Sequence, residues 1–361
     1  MTPLPNLASP GPRRVRVDRA RGIAASFAAA LLATSAAVLG GCGSRADAGI
    51  AAEQARSVPP DQAFLERIPD APMTVAYSGT RHVLLNYAQA GVPSVLAYDE
   101  EVFSDGHGQF AIVPGQVTAP AMNQDQAQLF AILQERRDGF FYRFRDFRIR
   151  DWRAFLRNWR VTDSGTQETV AGRSTEVLEI RHLRGGPSWY RAWVDPTTAL
   201  VMRAEEYDGS NMLLSRVEFL TFTLTPDLQG RPLHGDRNPA TAFDPHSDTT
   251  GSLGFQVKVP TILPPGYQLE RSESLSDGTS TWARLGFGDG VDEIFLLQSP
   301  VPSTPPPPGT PPEMDVGPRS VRVFQVGPWT VLQAKFSGMR TIVVGKADQQ
   351  SLLRMLKSAV G

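Results

Sequence analysis

Histidines and paired acids are the residues here best suited to acid–base or metal chemistry, and their spacing supports neither. His82, His107, His182, His234 and His246 are scattered, and none stands at metal-ligand spacing from another. His82 and His182 sit within strand-like runs, where a packed or surface role is the simpler reading. Glu100/Glu101 and Glu205/Glu206 are adjacent in strand-like segments. Their side chains therefore point to opposite faces and cannot share a proton. No G-x-S-x-G, Walker A or H-E-x-x-H pattern occurs. The stretch GFGDG at 286–290 precedes a strand instead of opening a helix, so it reads as a hairpin turn. No catalytic residue, cofactor or metal ligand is implied, and an enzyme is the least supported class.

Cys42 is the single cysteine of the 361 residues. It follows an Arg-rich start and an apolar run from Gly22 to Leu39, the pattern of a secretory signal; an uncleaved membrane anchor is the alternative. Leu39-Gly40-Gly41-Cys42 resembles the bacterial lipobox, in which the cysteine is lipidated and becomes the mature N-terminus. A lone thiol in an exported chain forms no internal disulfide, and acyl chains would hold the protein at a membrane surface. Residues 43–58, small and polar, read as a flexible tether. Dropping the five Arg and one Asp before Cys42 from the 36 basic and 37 acidic residues leaves a net charge of about −5. That argues against nucleic acid as a partner. One basic cluster remains, Arg143 to Arg160, with seven Arg among Phe and Trp. Arg148 and Arg150 within it are candidates for an anionic lipid headgroup or an acidic partner segment; a solvated amphipathic stretch with snorkelling Arg is the plainer alternative.

The elements that would position such groups are mostly strands, as 30 Pro and 32 Gly suggest. Helices are expected over 61–68, 125–137 and 151–159, the first capped by Asp61. Strands are expected over 73–88, 93–106 and 108–115, then at 159–162, 166–170, 174–182, 189–194, 199–207 and 212–224, with turn chemistry between them. Short connections make the second group an antiparallel meander. Its strands carry apolar residues on both faces, so both need cover, or one holds an apolar ligand. Trp189, Trp193, Val201, Phe219 and Phe222 are the candidates for lining such a site. A Pro/Gly/Asp-rich linker is expected at 229–250. A smaller β-rich unit follows over 251–361, with strands from Gly254–Pro260 onward, an exposed polyproline excursion at 300–317 and a closing helix over 347–360.

Several of these pieces carry a resemblance. Val170-Ala171-Gly172-Arg173 before a strand, Trp193-Val194-Asp195-Pro196, and a strand ending in Val217-Glu218-Phe219 resemble the large domain of the MucB/RseB family of periplasmic sigma-factor (sigma-E) regulators. Leu263 to Ser274 (LPPGYQLERSES) and the closing TIVVGKADQQSLLRMLKSAV are similar to the start and end of that family's small domain. The resemblance implies an α+β, mainly antiparallel fold: a LolA/LolB-like incomplete barrel over 59–228, its hydrophobic concave side partly plugged by helices, then a C-terminal domain over 251–361. It further implies a non-enzymatic protein that binds the periplasmic part of an anti-sigma factor and responds to lipid or lipoprotein signals in envelope stress.

The lipobox departs from that pattern, because familiar members are soluble in the periplasm. A lipid anchor is the habit of LolB, yet LolB is a single domain without a counterpart to 251–361. The expected location is the periplasmic side of the envelope, membrane-anchored through Cys42. A lipid or lipoprotein carrier is the alternative function, and a structural envelope lipoprotein a third.

Overall fold

Period-2 alternation and turn residues send most of the described residues into antiparallel ribbons. The computed structural model describes residues 61–89, 92–117, 146–186, 188–231, 233–235, 241–276, 281–300, 314–315, 320–326 and 329–360. Cys42 and its leader, the tether, the helix expected at 125–137 and most of the polyproline stretch lie outside these residues.

The first sheet has nine strands. After helices α1 (Gln62–Arg67) and α2 (Ala71–Thr74) come β1 (Ala76–Gln89), β2 (Val92–Asp105) and β3 (Gln109–Val117). Helix α3 (Trp152–Asn158) leads into β4 (Trp159–Val170), β5 (Arg173–His182), β6 (Ser188–Val194), β7 (Val201–Asp208) and β8 (Leu213–Phe219), and β9 (His234–Gly235) ends the set. The spatial order is β4-β5-β6-β7-β8-β1-β2-β3-β9. Two meanders thus join where β8 pairs with β1, and the sheet is open, since its end strands β4 and β9 do not pair. The main core packs α1, α2 and α3 through Phe64, Leu65, Ala71 and Phe155 against Leu178, Ile180, Tyr190, Ala192 and Met202. Asp61 caps α1 through the Ala63 amide and Asp151 caps α3 through the Ala154 amide, each satisfying an amide with no partner inside the helix.

The second sheet has eight strands: β10 (Thr241–Ala242), β11 (Gln268–Ser276), β12 (Thr281–Gly288), β13 (Glu293–Pro300), β14 (Met314–Asp315), β15 (Ser320–Val326), β16 (Trp329–Phe336) and β17 (Met339–Gly345). Their order is β10-β11-β12-β13-β17-β16-β15-β14. Helix α4 (Thr250–Leu253) precedes β11, and α5 (Gln349–Val360) closes the chain. One face of α5 buries Leu352, Met355, Leu356 and Val360 against Leu285, Ile294, Leu332 and Val343. At about 1.5–3 kcal/mol for each large apolar side chain, that face holds the helix in place.

Most expected elements are present, with differences that have local causes. Residues 159–170 form one strand whose register shifts between Asp163 and Gln167, where Gly165 takes φ 70°. The strand expected over 212–224 stops at Phe219. Gly254–Pro260, expected to be a strand, is not one. Its backbone is served by side chains instead: the Thr249 hydroxyl bridges the Phe255 carbonyl and Val257 amide, and the Gln298 amide group bonds both N–H and C=O of Lys258. With those groups satisfied, Phe255 and Val257 pack into the core without a neighbouring strand.

Candidate binding cavity and the sheet interface

A cavity of about 130 Å³ lies on one face of the first sheet. Its walls come from Pro72 and Met73 of α2, Tyr77 and Arg81 of β1, Val102 of β2, Phe110 and Ile112 of β3, Met202 and Ala204 of β7, and Val217 and Phe219 of β8. Ile68, Leu200 and Asp146–Ile149 complete it, with irregular backbone. Tyr77 and Phe219 meet edge to face at 6.0 Å, and Phe222 stacks on Tyr77 at 5.9 Å. Burial pushes the Tyr77 phenol above its ordinary value, with the Arg81 charge acting the other way. The polar end is Arg81, which bonds the buried Glu100 and lies 2.9 Å from Asp146. No histidine lines the cavity. Such a lining can hold a small apolar group and offers no nucleophile–base pair.

Val201, Phe219 and Arg148 line the cavity, and Phe222 packs beside it. Trp189 and Trp193 do not. In the register Ala192 opposes Ala204, which lines the cavity, while Trp189 opposes Tyr207 and Trp193 opposes Arg203. Alternation therefore puts both indoles on the other face. There Arg181 lies 3.9 Å over Trp189, Trp189 stacks on Tyr207 at 4.5 Å, and Arg203 covers Trp193 at 4.0 Å. Glu205 anchors this outer ladder through Arg203, Arg216 and Tyr207. Arg150 is not at the cavity either. It reaches the second sheet, its amide donating to the Gly290 carbonyl at 2.8 Å and its Nε to that of Val291 at 3.1 Å.

That contact belongs to a buried polar interface between the sheets. Tyr190 donates its hydroxyl to Asp292 at 2.7 Å, and Lys346 sits 2.8 Å from Glu206 and 3.6 Å from Asp292. Asn158 of α3 donates to the carbonyls of Gly266 and Asp289 at 3.0 and 2.9 Å. Burial, then the neighbouring Asp292 charge, pushes Asp289 up to about 7. Burial alone would depress Lys346, but Glu206 and Asp292 more than offset it and hold the ammonium above its ordinary value. Burial and Asp292 also push the Tyr190 phenol well up, so it stays a donor. Glu205 faces outward to Arg203 and Arg216 while Glu206 faces Lys346, the opposite orientations that strand geometry demands.

The interface also explains GFGDG. Gly290 has φ 103°, and a Cβ there would come within 2.3 Å of the Phe155 nitrogen. The glycine is where the turn before β13 meets the backbone of α3. The motifs of the meander are structural too. Ala171 and Gly172 both take positive φ (47° and 78°), the two-residue turn joining β4 to β5. Arg173 then reaches Asp195 at 2.7 Å, and that carboxylate also accepts from the Thr197 amide and the Thr198 hydroxyl.

Sequence reasoning missed the interface residues Tyr190, Glu206, Asp289, Asp292 and Lys346. The one available signal was an acid, Glu206, on the same parity as the apolar Met202 and Ala204. Among the described residues no group of His, Cys, Asp and Glu is arranged to hold a metal ion, and no helix is long and apolar enough to cross a membrane.

Residues 120–236 match the family described as MucB/RseB N-terminal domain. The chain is similar to the crystal structure of MucB in complex with MucA(peri), at 16% identity over 82% of this chain and 97% of that one, TM-score 0.45. It is similar to the MucA/MucB complex of Pseudomonas aeruginosa at 16% identity, over 81% and 95% of the two chains, TM-score 0.44. A LolA superfamily protein from Nitrosomonas europaea is similar at 13% identity, over 46% of this chain and 94% of that one, TM-score 0.20. No curated protein matches.

Proposed function

From the match of residues 120–236 to the MucB/RseB N-terminal domain, we propose that this chain is a non-enzymatic envelope regulator of that kind. It binds the periplasmic part of an anti-sigma factor and thereby controls an extracytoplasmic-stress sigma factor. The family match carries this reading. The cavity adds a lipid or acylated ligand, because its walls are mainly apolar, with Arg81, Asp146 and Arg148 as its charged groups. Lipidation of Cys42 would place the protein on the periplasmic face of a membrane, with the first sheet and its helices as the large domain and the second sheet with α5 as the small one.

An affinity pull-down from solubilised envelopes with the full chain, analysed for proteins and lipids together, tests the reading. Recovery of a single-span membrane protein encoded beside a sigma factor supports it; recovery of lipid or acylated peptide without such a protein overturns it. That second outcome would establish a lipid or lipoprotein carrier, the alternative that the lipobox-like Cys42 favours. Anchoring is checked separately. Cys42→Ser is expected to shift the protein from the membrane to the soluble fraction, or leave it unprocessed, and unchanged partitioning and mass would remove the anchor from the account.

A further inference from the structure

The cavity and the sheet interface share one piece of chain. Asp146, Phe147, Arg148 and Ile149 all line the cavity, and the next residue, Arg150, is clamped to Gly290 and Val291 of the second sheet. Asp146 is tied at the other end to Arg81 of β1. Between these ties Phe147 lies 5.1 Å from the ring of Tyr190, whose hydroxyl holds Asp292. Among the described residues, helices and paired strands supply most of the remaining wall, and this segment is its longest irregular stretch. At about 130 Å³ the cavity is also small; sites that enclose drug-sized ligands run to roughly 300–1,000 Å³. A ligand the size of an acyl chain must enlarge it, and the wall least held by a hydrogen-bonded ladder is the one that yields.

We propose that residues 146–150 are a strap linking the filling of the cavity to the seating of the second sheet, so that an acyl ligand loosens the contacts at Gly290–Asp292. The proposal rests on the reading of the cavity as an acyl site. Entry of the chain displaces Phe147 and Ile149. The shift pulls Arg150 from the Gly290 and Val291 carbonyls and disturbs the packing that orients Tyr190 toward Asp292. Linkage makes the effect reciprocal: if the ligand weakens the interface, weakening the interface must tighten the ligand by the same factor.

The test combines hydrogen exchange and affinity on the full chain, with sodium laurate below its micelle-forming concentration as probe. Laurate binding is expected to speed exchange of the Arg150 and Asp151 amides, which donate to the Gly290 carbonyl, and Tyr190→Phe, which removes only the hydroxyl, to bind laurate roughly 5-fold tighter or more. Asp292→Asn, which removes the charge at nearly constant shape, serves as the second variant and is expected to act in the same direction. Laurate that binds without speeding exchange at those amides, or binds both variants and the parent equally, overturns the strap and leaves the acyl site standing. If laurate does not bind the parent at all, the acyl site falls and the strap with it.

Discussion

Lys346 places its ammonium between Glu206 and Asp292, so Lys346→Met is the sharpest perturbation of the contact between the sheets. The side chain is 6% exposed, Glu206 2% and Asp292 11%. Methionine keeps most of the stem volume and its packing over the rings of Tyr190 and Trp329, which lie 5.5 Å from the ammonium. What it deletes is the charge. Two carboxylates then share a buried site, with Tyr190 donating to one and Ser215 to the other. Removing one partner of a buried pair typically costs about 3–5 kcal/mol, because the remaining charge is uncompensated. Urea unfolding at neutral pH is expected to show a loss of that size.

The double variant Lys346→Met with Glu206→Met should recover part of the loss, since it removes one of the two carboxylates left without the ammonium. A loss below about 1 kcal/mol, the value of an exposed pair, would refute the reasoning: water would then reach Glu206 and the interface would be looser than its distances say.

Gly290→Ala adds a methyl group against the α3 backbone at a residue with φ 103°, and overpacking of this kind typically costs about 1–3 kcal/mol; a midpoint in urea equal to the parent's would show that the turn can move aside. Asp289 has a folded-state value of about 7 against an ordinary 3.8. The folded state therefore holds more protons than the unfolded one between those values, and stability should fall as pH rises through that window. Asp289→Asn should flatten that slope, and a slope unchanged in the variant would assign it to another group. Asp195→Ala removes the acceptor of Arg173, the Thr197 amide and the Thr198 hydroxyl. The expected loss is about 1–3 kcal/mol, with cavity binding unaltered; impaired laurate binding at full stability would mean that the motif serves the ligand instead of the fold.

What the sequence disclosed and what it hid have one physical boundary. Local rules sufficed for the ribbons: turn residues separate β4 to β8, period 2 sets their parity, and α5 shows its apolar face every third or fourth residue. Even Glu205/Glu206 was oriented correctly by parity alone. Parity also shows why the tryptophans misled. Trp189 and Trp193 are as apolar as any residue of the meander, yet which side of a sheet is concave is decided by what packs on it, here α1, α2, α3 and the second sheet, and no residue within β6 encodes that. Arg181 and Tyr207 pack on Trp189, and Arg203 on Trp193, from neighbouring strands. The interface was hidden for the same reason, its members standing 102 residues apart for Tyr190 and Asp292 and 140 for Glu206 and Lys346. The motifs Val170–Arg173 and Trp193–Pro196, which carried the resemblance, form a turn and its ion pair and serve the fold. The cavity wall and the segment 146–150 that joins it to the second sheet lie outside those motifs. A basic stretch read from sequence as one cluster is divided by the structure between the two tasks, with Arg148 at the cavity and Arg150 two residues on at the interface.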